Sequence, residues 1–178
     1  MINGIDYLKK MYPDRDEEDY QPSGMDLRVG RVFVFDDNLM AFLHEGEKRL
    51  PEQRELPIHH VHELGLYDGW VLEPLRPYMF EVQGQIKIGE SNAQFYLPRS
   101  SLLRAGVNVY TALGDLGYNG HLRFLVINHR NGPFFIQQGE RFAQLVDFEV
   151  RGGSESYDGD YQEKEVIADW DMDNRIQF

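Results

Sequence analysis

The chain has 178 residues, no cysteine and a net charge of −12, with 42% apolar and 13% aromatic residues. That is enough apolar chain for one packed core, and the lack of cysteine excludes disulfide scaffolds, cysteine-bearing zinc sites and the zinc deaminase site with its paired cysteines. The acidic balance argues against binding polymeric nucleic acid, and neither a membrane-spanning apolar run nor a signal peptide is visible. The expectation is therefore a cytoplasmic protein in which any anionic ligand needs locally supplied positive charge.

Residues 2–11 predict a short amphipathic helix with Ile2, Ile5 and Leu8 on one side, stopped by Pro13. A charged connector, "DRDEEDY", follows, and then "GRVFVFDD" (30–37) reads as a buried strand. The segment from Met40 to Trp70 is polar and reads as an irregular excursion. Beyond it, "WVLEP", "MFEVQGQIKI", "AQFYLP", "GHLRFLVINH", "GPFFIQQ" and "RFAQLVDFEV" are strand-sized runs separated by turn signals. This spacing predicts an all-β sandwich or barrel with one or two short helices. Residues 1–151 form the expected β domain, and 152–178 an acidic arm opening on "GGSES" and carrying Tyr157, Tyr161, Trp170 and Phe178. The arm reads equally as a solvated tail or as a segment closing over a site.

Four stretches carry candidate chemistry. In "QPSGMDLRVG", Ser23 and Gly24 make a turn and Asp26 leads into a strand; by itself this is an ordinary Asp-bearing turn. In "PRSSLLRAG", Arg99 and Arg104 supply planar donor forks suited to phosphate, and Ser100 and Ser101 add hydroxyls and the unpaired N–H groups of a helix start. In "TALGDLGYNG", Asp115 is a carboxylate able to take a proton from water, and Tyr118 offers a flat face to a sugar or base. In "GERFAQL", Gln144 is a polar residue within an apolar run and needs hydrogen-bond partners if buried. His59, His60 and His62 form a cluster without a convincing further metal ligand and read as a solvated loop.

The order of these four stretches resembles the family of deoxyuridine triphosphate nucleotidohydrolases and deoxycytidine triphosphate deaminases. "PSGMDLRVG", "PRSSLLRAG", "DLGYNG" and "GERFAQL" resemble its successive motifs, and "YDGDYQE" is similar to the ending of its deaminase-like branch. The spacing is most similar to archaeal-type dUTPases, and the likeness runs from about Gln21 to Gln162. A deaminase of this family places a glutamate acid/base on the strand after the third motif, where this chain has Leu125, and leucine cannot shuttle protons.

The resemblance therefore implies a distorted barrel or jelly roll that hydrolyses dUTP to dUMP and diphosphate. Asp115 would activate the attacking water. Arg99, Ser100, Ser101 and Gln144 would hold phosphates, Arg104 would serve phosphate or inter-subunit contacts, Tyr118 would pack under the deoxyribose, and Tyr161 and Gln162 would complete the substrate site. Mg²⁺ would bridge the phosphates, with Asp26 contacting it through water. The family further implies a homotrimer with shared sites. The alternatives are a dCTP deaminase or bifunctional enzyme with a relocated acid/base, for which Glu140 is a poor candidate, and an inactive nucleotide- or partner-binding protein on the same fold.

Overall fold

The computed structural model describes residues 1–35, 40–61, 67–152, 156–159 and 162. Helix α1 (Ile5–Met11) and a 3-10 turn (Glu17–Asp19) precede β1 (Tyr20–Gln21) and the long β2 (Gly24–Phe35). Four short strands follow: β3 (Phe42–His44), β4 (Glu47–Arg49), β5 (Gln53–Glu55) and β6 (His59–Val61). Next come β7 (Tyr67–Leu72), β8 (Pro77–Val82), β9 (Ile86–Lys87) and β10 (Asn92–Pro98), which runs into helix α2 (Ser100–Arg104). The remaining strands are β11 (Val107–Tyr110), β12 (Asn119–Gly120), β13 (Arg123–Asn128), β14 (Phe134–Gln137) and β15 (Arg141–Glu149).

The main sheet has the order β10-β15-β2-β8-β13-β11, with antiparallel pairing throughout. Its two ends come back together. Gln94 on β10 bridges to Gly114 beyond β11, and the Thr111 hydroxyl donates to the Tyr96 carbonyl at 2.8 Å. The result is the nearly closed all-β barrel that the strand spacing predicts, which leaves few open edges.

β2 organises the barrel by serving two partners. Its first half pairs with β15 and its second half with β8, with a register shift between Val29 and Arg31. Gly30 sits at that shift, and a Cβ there would lie 3.0 Å from the Gln83 Cα, so the two backbones approach too closely for a side chain. The core gathers Met25, Leu27, Val32, Trp70, Phe80 and Phe142. The Phe142 ring lies 5.5 Å from Phe80 and 6.1 Å from Phe124. Each fully buried side chain of this kind contributes about 1.5–3 kcal/mol.

Two expectations change. The helix begins only at Ile5. Ile2 lies outside it, bridges to Phe148 and is exposed, because Gly4 starts the helix and the first residues pair with β15 instead. The Met40–Trp70 segment is not irregular. β3 and β4 form a hairpin, β5 joins the main sheet along β2, and β6 pairs with β7 in a three-stranded sheet with β14. Polar "QRE" shows no apolar period, and its place in the sheet comes from backbone pairing with the edge of β2 at Phe33–Phe35. Among the described residues no helix is long and apolar enough to cross a membrane.

Candidate active site

The phosphate-binding candidates converge where β10 ends beside β15 and β2. Pro98 and Leu97 pair with Ala143 and Gln144, and Gln144 pairs in turn with Asp26. Directly opposed residues share a sheet face, so Leu97, Gln144 and Asp26 form one row. The next residue, Arg99, donates its backbone N–H to the Phe142 carbonyl at 3.1 Å, which fixes the start of α2 to β15. Its guanidinium lies 3.4 Å from Asp26, and Arg141 on β15 reaches the same carboxylate oxygen at 3.6 Å.

Asp26 is thus a buried strand residue and not a turn cap. Burial pushes its carboxyl above the usual range, and Arg99 and Arg141 pull it back down. Two guanidinium groups facing one carboxylate leave a local excess of positive charge, which the acidic surface as a whole does not supply. Ser100 and Ser101 are exposed at the first turn of α2, and no described residue bonds their hydroxyls. Arg104, in the last turn of α2, is exposed and stands apart from the Asp26 cluster, with no described partner. Arg28, by contrast, is saturated: it donates to both Asp19 oxygens at 2.9 Å and to the Gly139 carbonyl at 3.0 Å.

Asp115 lies elsewhere in the protomer. It is exposed and follows Gly114, whose antiparallel bridge to Gln94 sets Asp115 beside Ala93. Arg99 is six residues further along that strand direction, roughly 20 Å at the ordinary strand rise. One protomer therefore does not bring the carboxylate to the phosphate grip. Tyr118 closes the same turn, with its N–H to the Asp115 carbonyl at 3.2 Å. Its ring is buried and its hydroxyl donates to the His121 carbonyl at 3.1 Å. Burial, followed by Tyr157 and Glu81, pushes that hydroxyl up to about 12, so it stays protonated near neutrality.

The C-terminal arm touches this turn. Tyr157 donates its N–H to the Leu116 carbonyl at 2.6 Å and sets its ring edge-on to Tyr118 at 5.8 Å. Gln162 donates to the Gly117 carbonyl at 3.0 Å and accepts from the Asn119 N–H at 3.2 Å. Tyr161 and His62 lie outside the described residues. His60 pairs with Asp68 across β6 and β7.

Leu125 lies on β13 between Met79 and Tyr110, on the same face as Arg123. The nearest carboxylate in register is Glu81, opposite Arg123. Its two oxygens accept from Arg31 Nε at 2.7 Å and Arg123 Nε at 2.9 Å. Neither Arg141 nor Glu81 is marked out by the sequence reading. Arg141 looks like a turn residue after Gly139-Glu140, and the only sequence signal for it is its place within "GERFAQL".

The described residues contain no group of three or more His, Asp or Glu side chains able to hold a metal by themselves. The donor set at the grip, one carboxylate beside arginines and hydroxyls, suits a Mg²⁺ carried in on phosphate oxygens and waters.

Comparison with known proteins identifies the family. Residues 7–150 match the family described as dCTP deaminase-like. A probable deoxyuridine 5'-triphosphate nucleotidohydrolase of Methanopyrus kandleri is 43% identical over 90% of this chain and 99% of its own length. One from Methanothermobacter thermautotrophicus is 42% identical over 92% of this chain and 100% of its own. A dCTP deaminase of Pyrococcus furiosus is 32% identical over 85% of this chain and 84% of its own. The crystal structure of 2'-deoxycytidine 5'-triphosphate deaminase from Agrobacterium tumefaciens shares the fold, with a TM-score of 0.61 at 18% identity, covering 82% of this chain and 47% of that one. With its motifs in order and its archaeal relatives matched along nearly their whole length, this chain belongs to the dCTP deaminase-like family.

Proposed function

We propose that the chain is a dUTP diphosphatase, hydrolysing dUTP to dUMP and diphosphate. The observation that favours this over deamination is the face of β13 that carries Arg123 and Leu125. Leu125 stands where a family deaminase has its glutamate, and the neighbouring carboxylate, Glu81, is committed to Arg31 and Arg123. Archaeal relatives at 43% and 42% identity carry the nucleotidohydrolase name, which supports the same reading.

In this reading Asp115 accepts a proton from a water as its oxygen bonds to the α-phosphorus, and the bond from that phosphorus to the bridging oxygen breaks. Diphosphate leaves with the negative charge. Arg99, oriented by Asp26, and Arg141 face that charge, with Ser100, Ser101 and Gln144 holding phosphate oxygens. Mg²⁺ bound with the triphosphate would supply charge neutralisation, and Asp26 would meet it through water. Tyr118 packs under the deoxyribose, and Tyr161 and Gln162 bring the arm to the nucleotide. Arg104 reaches phosphate or a neighbouring copy.

The separation of Asp115 from Arg99 within one protomer supports a site completed between copies, and the family resemblance supports a homotrimer. Replacing Asp115 with Asn tests the chemistry: kcat falls by about 10²–10⁴ with KM nearly unchanged. An Asp115→Asn protein at near wild-type rate contradicts the assignment.

A further inference from the structure

Gln94 is a deeply buried carboxamide, 1% exposed on the inward face of β10. Both of its amide hydrogens and its carbonyl oxygen have partners. The Tyr96 hydroxyl donates to Gln94 Oε1 at 2.9 Å. Gln94 Nε2 donates to the Tyr12 hydroxyl and to Asp147 Oδ2, both at 2.9 Å. The Tyr12 hydroxyl in turn donates to the Lys87 carbonyl at 2.7 Å. Asp147, also buried, takes the side-chain amides of Asn3 and Asn92 at 2.7 Å on its other oxygen. Burial raises the hydroxyls of Tyr12 and Tyr96, so both remain donors.

This network ends under the residue that precedes Asp115. Gln94 and Gly114 exchange backbone bonds in both directions, at 2.9 and 2.8 Å. Gly114 is also the one residue type that fits. A Cβ there would meet the Tyr96 hydroxyl, and would lie 2.7 Å from Ile88 Cδ1. The turn after it is seated on the same support, since Ile88 N–H donates to the Tyr118 carbonyl at 2.8 Å. Asp115 itself is exposed, so its direction is set by the backbone on either side of it.

We propose that Gln94 and Tyr96 are positioning residues for Asp115: the buried network fixes Gly114, and through it the placement of the carboxylate against the attacking water. The inference rests on the diphosphatase reading of Asp115. A buried polar network with every member satisfied specifies one geometry, and a displacement of about 1 Å at a reacting group costs up to about 10²-fold in rate.

The test is a double-mutant cycle on kcat for dUTP. Tyr96→Phe removes only the donor to Gln94 and keeps the ring that packs 5.0 Å from Phe124. It lowers kcat by about 10–100-fold and leaves KM within about threefold, and Gln94→Met behaves alike. Tyr96→Phe combined with Asp115→Asn is no slower than Asp115→Asn alone, because both changes disable the same group. Full kcat in Tyr96→Phe, or a double variant whose losses multiply, overturns the inference while leaving the diphosphatase reading intact. A wild-type protein without dUTP turnover overturns both.

Discussion

Arg99 and Asp26 meet at 3.4 Å where β10 runs out beside β2, and this contact turns two ordinary sequence features into one grip. The arginine gains a fixed direction. The carboxylate gains two cations, Arg99 and Arg141, that partly offset its burial. Gln144 stands opposite Asp26 in the same row, so the first, second and fourth motifs meet in one place.

Asp26→Asn separates the electrostatic from the binding role. Burial raises the Asp26 carboxyl above its unfolded value of about 3.9, so the folded protein holds that proton more tightly than the unfolded chain does. Its contribution to stability is therefore present below the unfolded value and is lost as pH rises through the folded one. Asp26→Asn removes this dependence. Near neutral pH the variant is at least as stable as the wild type, since the two arginines left behind are partly exposed and screened. Thermal melts from mildly acid to neutral pH check this. KM for dUTP rises, because Arg99 loses its orienting partner.

Mixing two inactive proteins tests whether the site is shared. Asp115 and Arg99 sit roughly 20 Å apart along β10 in one protomer. If each site takes Asp115 from one copy and Arg99 from another, co-assembled Asp115→Asn and Arg99→Ala chains restore activity. Random assembly leaves about a quarter of the sites with both groups intact. Activity that stays at the level of the separate variants means that each chain carries its whole site.

The fold class was legible because strand-sized apolar runs recur along the chain, and the four motifs were legible because each is contiguous. What stayed hidden was long-range pairing. Glu81 and Arg123 are forty-two positions apart and become an ion pair only through the register of β8 and β13. β10 was misleading in a physical way. Its alternation is clear, yet Gln94 and Tyr96 point inward while Phe95 and Leu97 stand exposed in the single protomer. Apolar alternation alone assigns those faces the other way round, and only the partners Tyr12 and Asp147 make an inward glutamine affordable. The β2–β5 pairing escaped for a related reason, since "QRE" has nothing apolar to mark it.

Supplying dUTP and dCTP separately, with Mg²⁺, and following diphosphate and ammonia in the same samples separates hydrolysis from deamination. The expected result is diphosphate from dUTP and no ammonia from dCTP, with Leu125 as the reason for the missing deamination. Ammonia from dCTP, or silence with dUTP, would contradict it.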